Sequence, residues 1–335
     1  MGEDLRKASL YFRSRSAYWQ LTDPRQRLVV DPGPIGRHPL DIGRRLTSGH
    51  YSNFDQAGLP IHPDPNNEGL IHNYSTISGF ALAHWDRYLL IGNQQNLARL
   101  LAVADYIVQT ADRRDGMARL RAERLGIGHV GQISGLWQGQ AMSVLCRAWY
   151  AGGHKEYLDT AMDLTGPFSV PADHDGVIGL ITKRGVIWYE EYVQQPLNHV
   201  LNGMLYTLLG LKDLAVAAGF ERAQQLFDQG IQSVLLALPD FDSRFWTWYC
   251  IPEQGHPRIA SMGYHALHSC LLEALWRQTG NVELRQWAER FGEYATRPSC
   301  RIKAAFRMVR ERASGRRKLP AMKGQTDENV ARTLL

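Results

Sequence analysis

Along most of this chain apolar residues return at intervals of three and four, the period of a helix face packed on a core. From Tyr74 onward, Ile77, Phe80, Ala81, Trp85, Tyr88 and Leu89 share one such face. The joints between helices repeat as well. Leu90-Ile-Gly92-Asn-Gln-Gln-Asn-Leu97, Ala151-Gly-Gly153-His-Lys-Glu-Tyr-Leu158, Ala218-Gly219-Phe-Glu-Arg-Ala223 and Thr279-Gly280-Asn-Val-Glu-Leu284 each set a helix-ending glycine before a new helix start. From 92 to 153 to 219 to 280 the steps are 61, 66 and 61 residues, so an αα-hairpin recurs about every sixty. One hairpin cannot bury its own apolar face, whereas stacked neighbours can. The pattern therefore predicts a mainly α fold, an α/α-toroid of repeated αα-hairpins.

The period breaks at both ends and in three connectors. Up to about Pro65 the chain is rich in Pro, Gly, Asp and Arg, with turn clusters at Asp31-Pro-Gly-Pro and Pro63-Asp-Pro-Asn-Asn. Residues 1–65 are expected to form loops and short strands packed on the toroid, residues 66–300 the toroid itself, and residues 301–335 a basic helix and tail. The connectors at roughly 113–135, 166–195 and 239–260 are far longer than a helix joint requires, and surplus loop on a rigid scaffold usually carries function. The middle one reads as a β-hairpin: Val177-Ile-Gly-Leu-Ile-Thr182, the turn Lys183-Arg-Gly185, and a return through Val186 to Tyr192. The third holds Phe245-Trp-Thr-Trp-Tyr249, also strand-like.

Composition narrows the class. With 335 residues, 44% apolar, the chain can bury one large core or two modest ones. Nine Trp and fourteen Tyr exceed what a helical core needs, and aromatic faces with a polar edge commonly line sugar clefts. The four cysteines, 146, 250, 270 and 300, form no Cys-X-X-Cys pair, so neither a zinc knuckle nor a redox motif is signalled. No Gly-X-Gly-X-X-Gly or P-loop pattern argues for a nucleotide. The start, Met1-Gly-Glu-Asp-Leu-Arg6, lacks an apolar signal core, and no run approaches the roughly eighteen apolar residues of a membrane span. A cytoplasmic protein is expected. The net charge of +5 is uneven: residues 301–335 hold ten Lys/Arg against three acids, +7, which leaves −2 for the rest. Such a tail can attract a polyanion or be a solvated helix end.

Strand alternation in Trp188-Tyr-Glu-Glu-Tyr192 would put Tyr189 and Glu191 on one face and Trp188, Glu190 and Tyr192 on the other. The adjacent glutamates cannot be the opposed acid and base of a glycosidase, which must flank one bond across several ångströms. Gln138-Gly-Gln140 opens a helix with side chains suited to sugar hydroxyls, although the triplet alone is equally a packing motif. His265 and His268 share a helical face at i, i+3, but no third ligand has metal-site spacing, so capping or pocket polarity is expected.

Together, Gln138-Gly-Gln-Ala-Met-Ser-Val-Leu-Cys-Arg147, Trp188-Tyr-Glu-Glu-Tyr192, Val200-Leu-Asn-Gly203 with Tyr206, Gly210-Leu-Lys-Asp-Leu214 and Gly263-Tyr-His265 resemble the C-terminal α/α-toroid domain of D-glucuronyl C5-epimerases. The ordered likeness covers roughly residues 130–300. It implies conversion of D-glucuronate to L-iduronate within a heparosan-like polysaccharide, with Glu191, Tyr249 and Tyr264 at the positions of the family's catalytic carboxylate and two tyrosines. It also implies no cofactor and no metal. Gln138, Gln140, Trp188, Tyr189, Tyr192, Asn202, Arg184, Arg258 and His265 become candidate substrate contacts, with Lys183 and His268 as further donors. The implied partner is an acidic polysaccharide, without nucleic acid or membrane span, and a homodimer is left open. The chemistry agrees: inverting carbon 5 requires a proton to leave one face and another to arrive on the opposite face. A polysaccharide lyase, which begins with the same abstraction, and a non-catalytic glycan-binding toroid are the competing readings. In the family the first catalytic tyrosine is closely followed by an arginine, whereas here Tyr249 precedes Cys250-Ile-Pro-Glu253.

Overall fold

The structure, a computed structural model, describes residues 19–63, 69–122 and 131–314. Helices dominate. The four expected hairpins are α1 (Tyr74–Ile91) with α2 (Gln94–Thr110), α3 (Gly135–Gly152) with α4 (Lys155–Asp163), α5 (Leu201–Ala218) with α6 (Glu221–Phe241), and α7 (Met262–Thr279) with α8 (Val282–Thr296). Gly92, Gly153, Gly219 and Gly280 end the first helix of each at φ 68°, 72°, 61° and 72°, the left-handed geometry that glycine adopts without strain. A further helix, α9 (Pro298–Ala313), follows. None of the described helices is long and apolar enough to cross a membrane.

The hairpins stack in two layers. The first helices form the inner one, α1 against α3, α3 against α5 and α5 against α7, with their partners outside. Inner helices are enclosed on every side, as in α3, where each residue from Gly135 to Ala148 is buried. Outer helices bury one stripe, as α6 does with Ala223, Leu226, Phe227, Gly230, Ile231 and Val234. The α3–α5 seam is the tightest. A Cβ on Gly210 would lie 1.8 Å from the Gly139 carbonyl oxygen, and one on Gly139 2.5 Å from Thr207 Cα. Across the same seam Asp213 accepts from Ser143 and Arg147, both at 2.6 Å. Because the atoms in the way are backbone, Gly210→Ala is expected to destabilise by about 3 kcal/mol or more, read as a lowered Tm with unchanged helix content.

Connectors supply four two-stranded antiparallel pairs: β1 (His62–Pro63) with β2 (Leu70–Ile71), β3 (Asp112–Arg114) with β4 (Met117–Arg119), β5 (Ile178–Ile181) with β6 (Val186–Tyr189), and β7 (Trp248–Cys250) with β8 (Arg258–Ile259). The β5–β6 hairpin is where the alternation placed it, but its second strand stops at Tyr189, three residues short. The β3–β4 pair lies in the first connector, whose polar alternation gave no strand signal.

The N-terminal segment ties α1 to α7. Leu89 O accepts from Val29 N and Val30 N, Asp86 from His38 N at 3.0 Å, and Gly36 O from Trp85 Nε1 at 3.0 Å. At its other end Trp19 O receives Cys270 Sγ of α7 at 3.7 Å. Short bridges, Leu21 with Leu40 and Phe54 with Pro60, brace the segment. The tail carrying Arg316, Arg317 and Lys318 lies outside the described residues, as does the chain start.

Candidate active site

The approach to the site is built by burying three residues in a row. Trp188 is fully enclosed, stacked on Phe241 with its indole N–H donated to Val200 O at 3.2 Å. The Tyr189 hydroxyl crosses to the outer layer and donates to Leu226 O at 2.9 Å. Glu190 is also enclosed, bonded at Oε1 to His199 Nδ1 at 2.5 Å and accepting at Oε2 from His199 N at 3.2 Å. With the strand ended, the next two residues turn the same way. Glu191 and Tyr192 enter one cluster, so the alternation that grouped Tyr189 with Glu191 against Tyr192 does not hold.

Glu191 lies at the floor, 7% exposed, where α5 begins. Asn202 Nδ2 donates to Glu191 Oε2 at 3.3 Å, and a Cβ on Gly203 would meet Glu191 Cβ at 2.6 Å. The Leu-Asn-Gly motif thus supplies a donor and the space beside it. Over this floor stand Tyr192, Tyr249 from β7 and Tyr264 from the first turn of α7, each half-buried. The Glu191 charge acts on all three phenols, and Tyr249 and Tyr192 influence each other electrostatically, as do Tyr249 and Tyr264. The rings of Tyr249 and Tyr264 are 4.7 Å apart between centres. Arg258 folds back from β8, its guanidinium carbon 5.2 Å from the Tyr249 ring centre. Its Nε donates to Cys250 Sγ at 3.2 Å, while Nη2 is buried without a partner among the described residues. A cation thus reaches Tyr249 from the opposite strand, although none directly follows it in sequence.

Desolvation governs the electrostatics. It pushes Glu191 up to about 7 against the pull of Tyr192, Arg258 and Asn202. All three phenols are raised above their ordinary range, first by burial and then by the Glu191 charge, with Arg258 pulling Tyr249 and Tyr264 the other way. Every phenol therefore carries its proton near neutral pH, and Glu191 is the group that titrates there.

Several other candidates are placed elsewhere. Gln138 is fully enclosed, accepting from Leu120 N at 2.9 Å and donating to Ala118 O and Leu164 O, so its amide is consumed in tying β4 and the end of α4 to α3. Gln140 accepts from Ser75 Oγ at 2.6 Å and links α3 to α1. Trp188 and Tyr189 serve the core, as above. Arg184 pairs with Asp240 at 2.6 Å on the surface, and Lys183 is exposed beside it in the β5–β6 turn. The His265 ring stacks 3.6 Å from Trp246, and His265 and His268 both turn Nδ1 to Thr247. Gln138, Gln140, His265 and His268 thus spend their polar groups within the protein, a use that residue type alone does not separate from sugar binding.

One neighbour carried no sequence signal. Arg45, in a short 3-10 turn (Gly43–Leu46), stacks 4.5 Å over Trp19 and reaches the interior face of α1, its Nη1 3.7 Å from where a Cβ on Gly79 would be. It is the first charge acting on the buried Tyr206 hydroxyl of α5, which Glu191 also influences. A basic doublet in an irregular stretch reads as surface, and only the fold brings it inward. A shallow groove of about 630 Å³ along the outside of α6, lined by Ser169, Arg222, Gln225 and Gln229 among others, shares no residue with the cluster.

A carboxylate and three phenols converge from two connectors and the first turn of α7 on a helical-hairpin scaffold, and comparison with known proteins gives the family. The family model D-glucuronyl C5-epimerase C-terminus matches residues 120–293, more than half of the chain. The chain belongs to that family. It is 32% identical over 221 residues to a D-glucuronyl C5-epimerase of Caenorhabditis elegans, covering 60% of this chain and 36% of that protein. It is 28% identical over 148 residues to an uncharacterised protein of Methanocaldococcus jannaschii, covering 44% of this chain and 47% of that one. The chain thus spans between a third and a half of the curated relatives it matches. An unsaturated glucuronyl hydrolase from Streptococcus agalactiae aligns over 90% of this chain and 79% of its own at 12% identity and a TM-score of 0.48.

Proposed function

We propose that this chain is an isomerase, converting D-glucuronate units of a heparosan-like polysaccharide to L-iduronate by proton exchange at carbon 5. The observation that carries the proposal is the convergence of Glu191, Tyr192, Tyr249 and Tyr264, with the Tyr249 and Tyr264 rings 4.7 Å apart between centres and Arg258 resting on Tyr249. As the Tyr249 oxygen takes the carbon 5 proton, its own proton moves through Tyr192 to ionised Glu191. Tyr264, already protonated, returns a proton to the opposite face. One phenolate and one protonated carboxyl remain, and the same series of hydroxyls restores the starting state. Arg258, whose Nη2 has no partner among the described residues, can receive the substrate carboxylate and stabilise the dianion that develops on abstraction. Two carriers each about 3–3.5 Å from one carbon on opposite faces stand roughly 6–7 Å apart. Substrate entry must therefore part the touching Tyr249 and Tyr264. The proposal includes closure of the stacked hairpins into an α/α-toroid and a cytoplasmic setting, both consistent with repeated hairpins and with modification before export.

Incubating the protein with heparosan in deuterated water tests the reading: deuterium should enter carbon 5 and iduronate signals should grow, without the ultraviolet absorbance of an unsaturated uronate. Absorbance with no iduronate would move the assignment to a lyase. The pH profile should also report Glu191. The base must be ionised, so kcat/KM is expected to rise through about pH 7 as Glu191 loses its proton. A bound uronate adds negative charge beside it, so the acid limb of kcat should lie higher still.

A further inference from the structure

The helix α9 follows the residues that the family model matches, 120–293, yet it fastens onto the hairpin that carries Tyr249 and Arg258. Glu311, 4% exposed, turns inward from its last turn, and both carboxylate oxygens accept from Ile259 N of β8, at 3.4 and 3.2 Å. One turn earlier, Arg307 Nε donates to Glu311 Oε1 at 2.8 Å, and the guanidinium lies 5.3 Å from the Trp248 ring centre of β7. Through these two side chains α9 holds both strands at once.

The strands hold each other weakly. β7 and β8 are three and two residues long, and their register, Trp248 with Ile259 and Cys250 with Arg258, is irregular between the pairs. So short a hairpin is not stable by itself, and its position is set by what packs on it. Ile259 directly follows Arg258, whose guanidinium rests on Tyr249. Displacement there moves the Arg258 and Tyr249 pair. Tyr264 is secured separately, its N–H accepted by the Ser261 cap of α7, and Glu191 by Asn202.

We propose that Glu311, braced by Arg307, is a positioning residue that holds Tyr249 and Arg258 in place, making the C-terminal helix part of the catalytic apparatus. Its chemical consequence rests on the epimerase reading; its mechanical consequence does not. The test is hydrogen exchange on the full chain with Glu311→Ala, alongside carbon 5 deuterium uptake from a heparosan oligosaccharide. Amides of 248–259 should exchange at least roughly tenfold faster than in the unaltered protein, because Ile259 N–H loses its buried acceptor, while α7 amides keep their rates. Uptake should fall on both faces, because Arg258 serves the dianion whichever phenol begins, and by about tenfold on the face served by Tyr249, which loses its own placement as well. Adding Glu311→Ala to Tyr249→Phe should cost less than Glu311→Ala alone, as expected of residues that share one unit. Arg307→Leu, at a half-exposed position, should give the same pattern at smaller size and serves if Glu311→Ala does not fold. Unchanged exchange at 248–259 would overturn the clamp, as would loosening of α7 with equal loss on both faces. If the unaltered protein labels no uronan, the epimerase reading fails while the amide rates still decide the clamp.

Discussion

Glu191→Gln is expected to lower epimerisation by about 10³-fold in both directions, within the range that a positioned proton carrier contributes. The substitution keeps the side chain's volume, so the packing against Gly203 and the contact with Asn202 survive. What disappears is the acceptor at the end of the phenol series, needed whichever tyrosine begins. The same variant carries a stability signature. Glu191 has its folded value raised to about 7 from an ordinary 4.5, so its contribution to stability is fully present below about pH 4.5 and is lost as pH rises through about 7. Glutamine has no such dependence. Relative to the unaltered protein, the Gln variant should gain in Tm from pH 5 to pH 8. Loss of turnover together with that gain separates a chemical role from damage to the fold, whereas turnover at the original level would remove Glu191 from the mechanism.

The scaffold was legible because its signals are local. A left-handed glycine ending one helix before another begins is written in a few residues, and the four such joints landed where the spacing put them. Glu191, Tyr249 and Tyr264 are found through the family likeness, and they meet only because two connectors and the first turn of α7 come together beside α5. What eluded the sequence lies in pairings between distant segments. Gln138 looks like a sugar ligand until Ala118, Leu120 and Leu164 are seen to take up its amide. Alternation carried past Tyr189, where the strand ends, groups Tyr192 away from Glu191. Arg258 was one cation among several candidates, and nothing short of the β7–β8 register puts it across Tyr249. Glu311 sits in a run of basic residues that reads as a solvated helix, although it is the buried member of that run.

Tyr249→Phe and Tyr264→Phe are each expected to abolish net epimerisation, by about 10³-fold or more, and to do so in distinguishable ways. Phenylalanine keeps the ring, so the 4.7 Å contact between the two and the Arg258 stack on residue 249 should persist, and glycan affinity should stay within a few-fold. Inversion needs a carrier on each face, so removing one leaves the other able to exchange the proton on its own side. Each variant should then label carbon 5 of one epimer with solvent deuterium, and the two should differ in which epimer they label. Tyr249→Phe also cuts the series between Tyr192 and Tyr264, isolating the remaining phenol from Glu191. Its residual labelling should therefore be the slower of the two, because Tyr264 can reset its proton only from solvent, whereas Tyr264→Phe leaves Tyr249, Tyr192 and Glu191 connected. Identical labelling by both variants would mean that the phenols share one face, and full epimerisation by Tyr249→Phe would place the second carrier at Tyr192, the remaining phenol on which the Glu191 charge acts.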